Sequence, residues 1–215
     1  MAENLLYYGD NLPILREHIA DESVDLVYLD PPFNSQRDYN LLFKSPKGQT
    51  SAAQIEAFDD TWHWGPPAEA EFYELLHQSN TDVAELLKAL RSFLGENDMM
   101  AYLTMMANRL LELRRVLKPT GSLYLHCDPA ASHYLKVVLD SVFEKEMFRN
   151  EITWKRTSGH SDARGYGSTH DTIFFYAKTA GFHWNDVYQP YEQGYVNQYY
   201  RYKDADGRVF MSGDL

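Results

Sequence analysis

Asp30-Pro31-Pro32-Phe33 sets a carboxylate, a stiff backbone and an aromatic ring side by side. Each proline fixes its own φ and removes a backbone donor. Each also restricts the residue before it to extended conformations. The result is a rigid turn that presents two acceptors, the Asp30 carboxylate and the Pro31 carbonyl. That set suits an aromatic amine. The exocyclic nitrogen of adenine or cytosine delocalises its lone pair into the ring and is a poor nucleophile. Two acceptors can bind its two N–H bonds, localise the lone pair and stabilise the positive charge that develops as a methyl group arrives. Asp30 could also take the released proton, after transfer. Phe33 offers a flat face for a base held out of its stack. By itself an Asp-Pro-Pro run is more often a plain turn. Its position directly after a buried apolar run favours the functional reading.

Other reactive residues are weighed the same way. His126, Cys127, Asp128 and His133 include metal-ligand types. His126 and Cys127 are neighbours on a strand and must point to opposite faces, and no Cys-x-x-Cys pair exists, so no metal is expected. His126 to Asp128 end a strand and could line the same cleft as Asp30. For Asp128 the favoured role is to cap the following helix. Lys155, Arg156, His160, Arg164 and His170 flank a Gly/Ser-rich stretch, 157–169. Solvated surface and DNA-backbone contact are evenly balanced for them. Trp62, His63 and Trp64 read as packing over the catalytic loop rather than as a cofactor box.

These residues need elements to hold them. Leu5–Tyr8 reads as a short strand, followed by a helix with Leu12, Leu15 and Ile19 in step and Asn11 as its cap. Val24–Leu29 reads as a buried, central strand of a mixed sheet, with Asp30 at its carboxyl end in an open cleft. The region 52–117 looks helical, with Gly95 ending one helix. Pro119-Thr120-Gly121 is a turn, Ser122–His126 a strand and His133–Phe143 an amphipathic helix. Glu151–Lys155 and Thr172–Ala177 are later strands. Residues 182–202 are tyrosine-rich and irregular, so some of these rings must be partly exposed. The alternation predicts an α/β fold with a doubly wound, Rossmann-like sheet. Its expected organisation is a catalytic region, 1–148, with a helical insert at about 44–100, and a later region, 149–215.

Bulk properties narrow the class. The chain has 215 residues, one cysteine and no apolar run long enough to span a membrane. A lone Cys127 excludes an intramolecular disulfide and fits the cytoplasm. The net charge of −11 argues against a broad nucleic-acid surface. The charge is uneven, however. Residues 1–148 carry 12 basic and 23 acidic side chains, whereas 149–215 carry 8 of each. Any DNA face should therefore draw on the later segment.

With Gly9-Asp10-Asn11 some twenty residues before Asp30-Pro31-Pro32-Phe33, the sequence resembles the N6-adenine/N4-cytosine DNA methyltransferases. The order of motifs resembles the β-type arrangement. Arg115–His126, Phe148–Arg156 and His170–Tyr176 resemble later segments of adenine-specific members, including those similar to type III modification subunits. The resemblance implies S-adenosylmethionine as cofactor and double-stranded DNA as partner. A restriction subunit and a second copy of the chain are further partners to be considered. It implies that Asp30, Pro31, Pro32 and Phe33 form the target-base pocket, that Asp10 and Asp30 meet the cofactor, and that adenine is preferred to cytosine. N4-cytosine chemistry, transfer to RNA or a protein amide, and an inactive nucleic-acid-binding fragment remain alternatives. One departure is large. The family's glycine-rich cofactor loop has no counterpart here, since Gly165-Tyr166-Gly167 follows no apolar strand and opens no helix. The expectation is a fragment of a longer methyltransferase that alone binds cofactor weakly.

Overall fold

The computed structural model describes residues 4–32, 39–40, 56–58, 62–159, 166–167 and 169–212. Phe33, His160 and Arg164 lie outside them. In chain order the elements are α1 (Asn11–His18), β1 (Val24–Leu29), β2 (Tyr39–Asn40), β3 (Glu56–Phe58), α2 (Pro66–Leu76), α3 (Thr81–Leu94), α4 (Asp98–Val116) and β4 (Leu117–Cys127). There follow α5 (Pro129–Phe143), a single 3-10 turn, β5 (Phe148–Lys155), β6 (His170–Ala177), α6 (Gln193–Tyr199), β7 (Tyr202–Lys203) and β8 (Val209–Phe210). Two compact units result, 1–183 and 184–215. The sequence boundary at 148/149 thus falls inside the first unit, because β5 and β6 complete the same sheet as β1 and β4.

That sheet is mixed, with strand order β1-β4-β6-β5. β1 runs parallel to β4, while β6 is antiparallel to both β4 and β5. Among the described residues β1 is therefore an edge strand, not the central one that its apolar run predicts. Its solvent exposure agrees, since only Val24, Val27 and Leu29 are even half-buried. The expected strand at Leu5–Tyr8 is also absent. A strand needs a ladder partner, and no described strand pairs with these residues, which are exposed.

Alternation along the strands explains the core. Leu123, Leu125 and Cys127 of β4 and Phe174 and Tyr176 of β6 face one side and are fully or almost fully buried. Leu103, Met106 and Leu110 of α4 and Leu135, Val138, Leu139 and Val142 of α5 join them in one cluster. Burying such a side chain contributes about 1.5–3 kcal/mol. The other side of the sheet is barer. Tyr124 stacks on Phe175 at 4.5 Å between ring centroids, but Leu26, Tyr28, Ile152 and Trp154 are exposed.

Helix boundaries follow capping chemistry. Asn80 and Asn97 accept from Val83 N and Met100 N at the starts of α3 and α4. Gly95 ends α3 at φ 76°, a left-handed backbone that favours glycine. Asp128 accepts from Ala130 N and Ala131 N at 3.1 Å, as expected of the α5 cap. At α1 the cap is Asp10, not Asn11. Its carboxylate accepts from Leu12 N at 3.0 Å and from Arg109 Nη2 at 2.7 and 2.9 Å. The charged cap wins because α4 supplies a guanidinium beside it. The insert is not wholly helical either, since it holds β3, which pairs with β2 just before it.

The turn Pro119-Thr120-Gly121 lies inside β4. Val24 pairs with Leu117 and Leu26 with Ser122, so β4 bulges there. A Cβ on Gly121 would stand 3.0 Å from Lys118 O and 3.2 Å from Asp25 O. Only glycine lets the bulge and β1 approach this closely.

The smaller unit, 184–215, holds α6 and the β7–β8 pair. Its rings pack on one another: Tyr195 lies 5.4 Å from Tyr191 and 4.7 Å from Tyr199. They remain substantially exposed, as the irregular composition predicts.

Candidate active site

The strand order brings four side chains into a row at one end of the sheet. β1 and β4 are parallel, so their carboxyl ends lie together. β6 is antiparallel to β4, so its first residues join them. β5 is antiparallel to β6, so its last residues complete the row. Asp30 follows β1, His126 is near the end of β4, Asp171 is second in β6, and Arg156 follows β5.

Contacts link them in that order. His126 Nδ1 lies 3.0 Å from Asp30 Oδ1. A carboxylate only accepts, so Nδ1 is the donor. His126 Nε2 lies 3.4 Å from Asp171 Oδ2. Arg156 Nη1 lies 3.2 Å from Asp171 Oδ1. Exposure falls and rises across the row: 60% for the Asp30 side chain, 17% for His126, 3% for Asp171 and 51% for Arg156. The buried carboxylate sits between two nitrogen bases. The exposed one has an oxygen left for a ligand.

The backbone around Asp30 is held from behind. Pro31 is buried and Pro32 half-buried. Their rings anchor the turn while the carboxylate projects outward. This is the arrangement expected of a strand-end acceptor in an open α/β sheet.

Cys127, one residue beyond His126, points into the core and is fully buried. Burial, and then the nearby Asp128, Glu151 and Asp171 carboxylates, push its thiol up to about 12. It is a packing residue. The opposite facing of His126 and Cys127 is as the strand alternation requires.

The remaining residues singled out by the sequence divide into groups. Lys155 and His170 are exposed and face each other across the β5–β6 ladder. Arg156 N donates to Thr169 O at 2.9 Å, closing the base of the loop that they flank. Its guanidinium turns to Asp171. Asp10 lies elsewhere, between α1 and α4, with both oxygens engaged by Arg109. An S-adenosylmethionine site would therefore find the Asp30 carboxylate accessible. The Asp10 side chain is 55% exposed beside Arg109. Trp62 packs edge-on against Tyr102 of α4 at 5.5 Å and Trp64 against Phe72 of α2 at 5.9 Å, while the catalytic loop that they were expected to cover lies outside the described residues.

Asp171 is the residue that sequence reasoning missed. Its signal was an acidic side chain at the head of the apolar run 172–177, a place where a charge is buried only with partners.

A mixed α/β sheet with an acceptor turn at the carboxyl end of a parallel strand defines the class of the molecule. Residues 24–210 match the family model described as DNA methylase, and the chain belongs to that family. It is 28% identical over 182 residues to the type III restriction-modification enzyme StyLTI Mod subunit of Salmonella typhimurium, covering 83% of this chain and 24% of that protein. It is 34% identical to the type II methyltransferase M.HpaI of Haemophilus parainfluenzae, covering 75% of this chain and 35% of that one. Among solved structures, PvuII DNA methyltransferase (cytosine-N4-specific) aligns with a TM-score of 0.44 at 17% identity, over 82% of this chain and 49% of that one. The chain thus spans about a quarter of the length of the type III Mod subunit.

Proposed function

We propose that this chain carries the target-base site of a DNA methyltransferase that methylates the N6 amino group of adenine. Membership of the DNA methylase family supports the class. The observation that carries the site is the Asp30 carboxylate, projecting from a buried proline turn with one oxygen engaged by His126 and the other open. S-adenosylmethionine supplies the methyl group when bound. Asp30 and the Pro31 carbonyl accept the two amine N–H bonds and hold the nitrogen lone pair toward the incoming carbon. Phe33 stacks on the flipped base. Pro31 and Pro32 keep the acceptors from moving. The proton lost from the methylated nitrogen passes to Asp30 or to water.

The similarity to type III restriction-modification Mod subunits supports a restriction subunit as partner, while adenine as the base and double-stranded DNA as the substrate rest on the resemblance carried by Asp30-Pro31-Pro32-Phe33. Lys155, Arg156, His160, Arg164 and His170 are the proposed backbone contacts, Asp10 and Asp30 the proposed cofactor contacts. A cytoplasmic location belongs to the same reading. No described helix is long and apolar enough to cross a membrane.

The test is transfer of labelled methyl from S-adenosylmethionine to duplexes containing adenine or cytosine as the only aminated target, run with this chain and with a longer chain that includes it. Label on adenine is expected from the longer chain. Label on cytosine alone would replace the adenine reading. No label on either base from either chain would leave a nucleic-acid-binding fragment.

A further inference from the structure

We infer that His126 and Asp171 are positioning residues for Asp30, which they hold by a string of alternating acceptors and donors across the sheet end. The inference rests on Asp30 being the base-binding carboxylate.

Geometry makes the case. Asp30 is largely exposed, at 60%, and its carboxylate would be free to rotate and to take water on both oxygens. Nδ1 of His126 donates to Oδ1 at 3.0 Å and removes that freedom. The ring in turn is set by its other edge, where Nε2 faces Asp171 Oδ2 at 3.4 Å. For both contacts to be attractive, both ring nitrogens must carry hydrogen. Asp171 is 3% exposed and would be costly to bury as an ion without compensation. Arg156, 3.2 Å from its other oxygen, supplies that compensation. The string Asp30, His126, Asp171, Arg156 then alternates acceptor and donor across the sheet end.

Each strand contributes one member, so the sheet register fixes all four. Leu29 pairs with Leu125, which sets Asp30 beside His126. His126 pairs with Ile173, which sets Asp171 diagonally across from it on the same face. The consequence is directional. With Oδ1 occupied, Oδ2 is the oxygen presented to the substrate amine. Arg156 thus has a task inside the site that is distinct from contacting DNA.

Two measurements test this. The first needs no activity. In the 215-residue chain with 15N-labelled histidine, His126 is expected to show proton-bearing Nδ1 and Nε2. Its Nδ1–H resonance should shift upfield or vanish in D30N, and its Nε2 resonance should move in D171N while the thermal midpoint changes little. A His126 ring with bare Nδ1 in the wild-type chain would overturn the inference. The second is kinetic, in the longer chain that transfers methyl. H126A is expected to lower kcat on the order of 100-fold, the effect of a small misplacement of a reacting group, with KM for DNA and S-adenosylmethionine little changed. H126N, which keeps an N–H near the Nδ1 position, should recover much of the loss. Wild-type kcat in H126A beside an inactive D30A would overturn the inference but leave the site assignment standing. If D30A itself retains wild-type rate, the site assignment falls, and the NMR pattern alone decides whether His126 holds Asp30.

Discussion

Asp30 and Cys127 sit a few residues from strand ends on opposite faces of one sheet, and their fates differ accordingly. The carboxylate keeps an open oxygen, while the thiol is fully buried among apolar side chains. Alkylation requires the thiolate, and a thiol pushed up to about 12 holds almost none at pH 8. The folded chain is therefore expected to resist iodoacetamide at pH 8 and to react only on unfolding in urea, as mass spectrometry of Cys127 would read. Rapid native modification would contradict the core placement. Phe33 belongs to the same scale. Its proposed contact is one stacking face, worth about 1–3 kcal/mol per base. Phe33→Ala in the methyl-transferring protein should cut kcat/KM by roughly 5- to 150-fold, less than loss of Asp30. Equal loss would mean that Phe33 does more than stack.

At the scale of elements, the β1–β4 pairing is what sets the site. It depends on Gly121, where any Cβ would press on the Lys118 and Asp25 carbonyls. Gly121→Ala is expected to lower stability by about 1–3 kcal/mol, as overpacking does, seen as a lower urea midpoint at unchanged slope. An unchanged midpoint would show that the bulge can relax. The elements also show what the chain disclosed before folding. α5 and β6 were legible because each buries a periodic apolar pattern, and β1 and β5 because each is a short run carrying apolar side chains, although both keep large ones exposed. The Asp128 cap and the Gly95 stop were legible because they are local. The strand at Leu5–Tyr8 failed because an apolar tetrapeptide says nothing about having a ladder partner. The central position given to β1 failed because an apolar run reports hydrophobicity and not the number of neighbours. Asp30 could be singled out from its two prolines together with the apolar run before them. Its link to Asp171 could not, since the two residues lie far apart in sequence and meet only through the order β1-β4-β6.

At the scale of the larger unit, the sheet packs α4 and α5 on one face and leaves Leu26, Tyr28, Ile152 and Trp154 exposed on the other. β1 is also unpaired along its outer edge among the described residues. Exposed apolar side chains at both edges of the sheet and a free strand edge favour association with a second copy. The isolated 215-residue chain is expected to sediment as a concentration-dependent mixture of monomer and larger species. Joint Tyr28→Lys and Trp154→Lys substitution should shift it toward monomer. A strictly monomeric wild-type chain across the concentration range would contradict this. The central claim, that Asp30 is the acceptor for the target amine, is tested most directly by Asp30→Ala in the methyl-transferring protein, with circular dichroism as the control for folding. The expected result is near-complete loss of methyl transfer to adenine with the fold retained. A folded Asp30→Ala variant that methylates adenine at the wild-type rate would contradict the account.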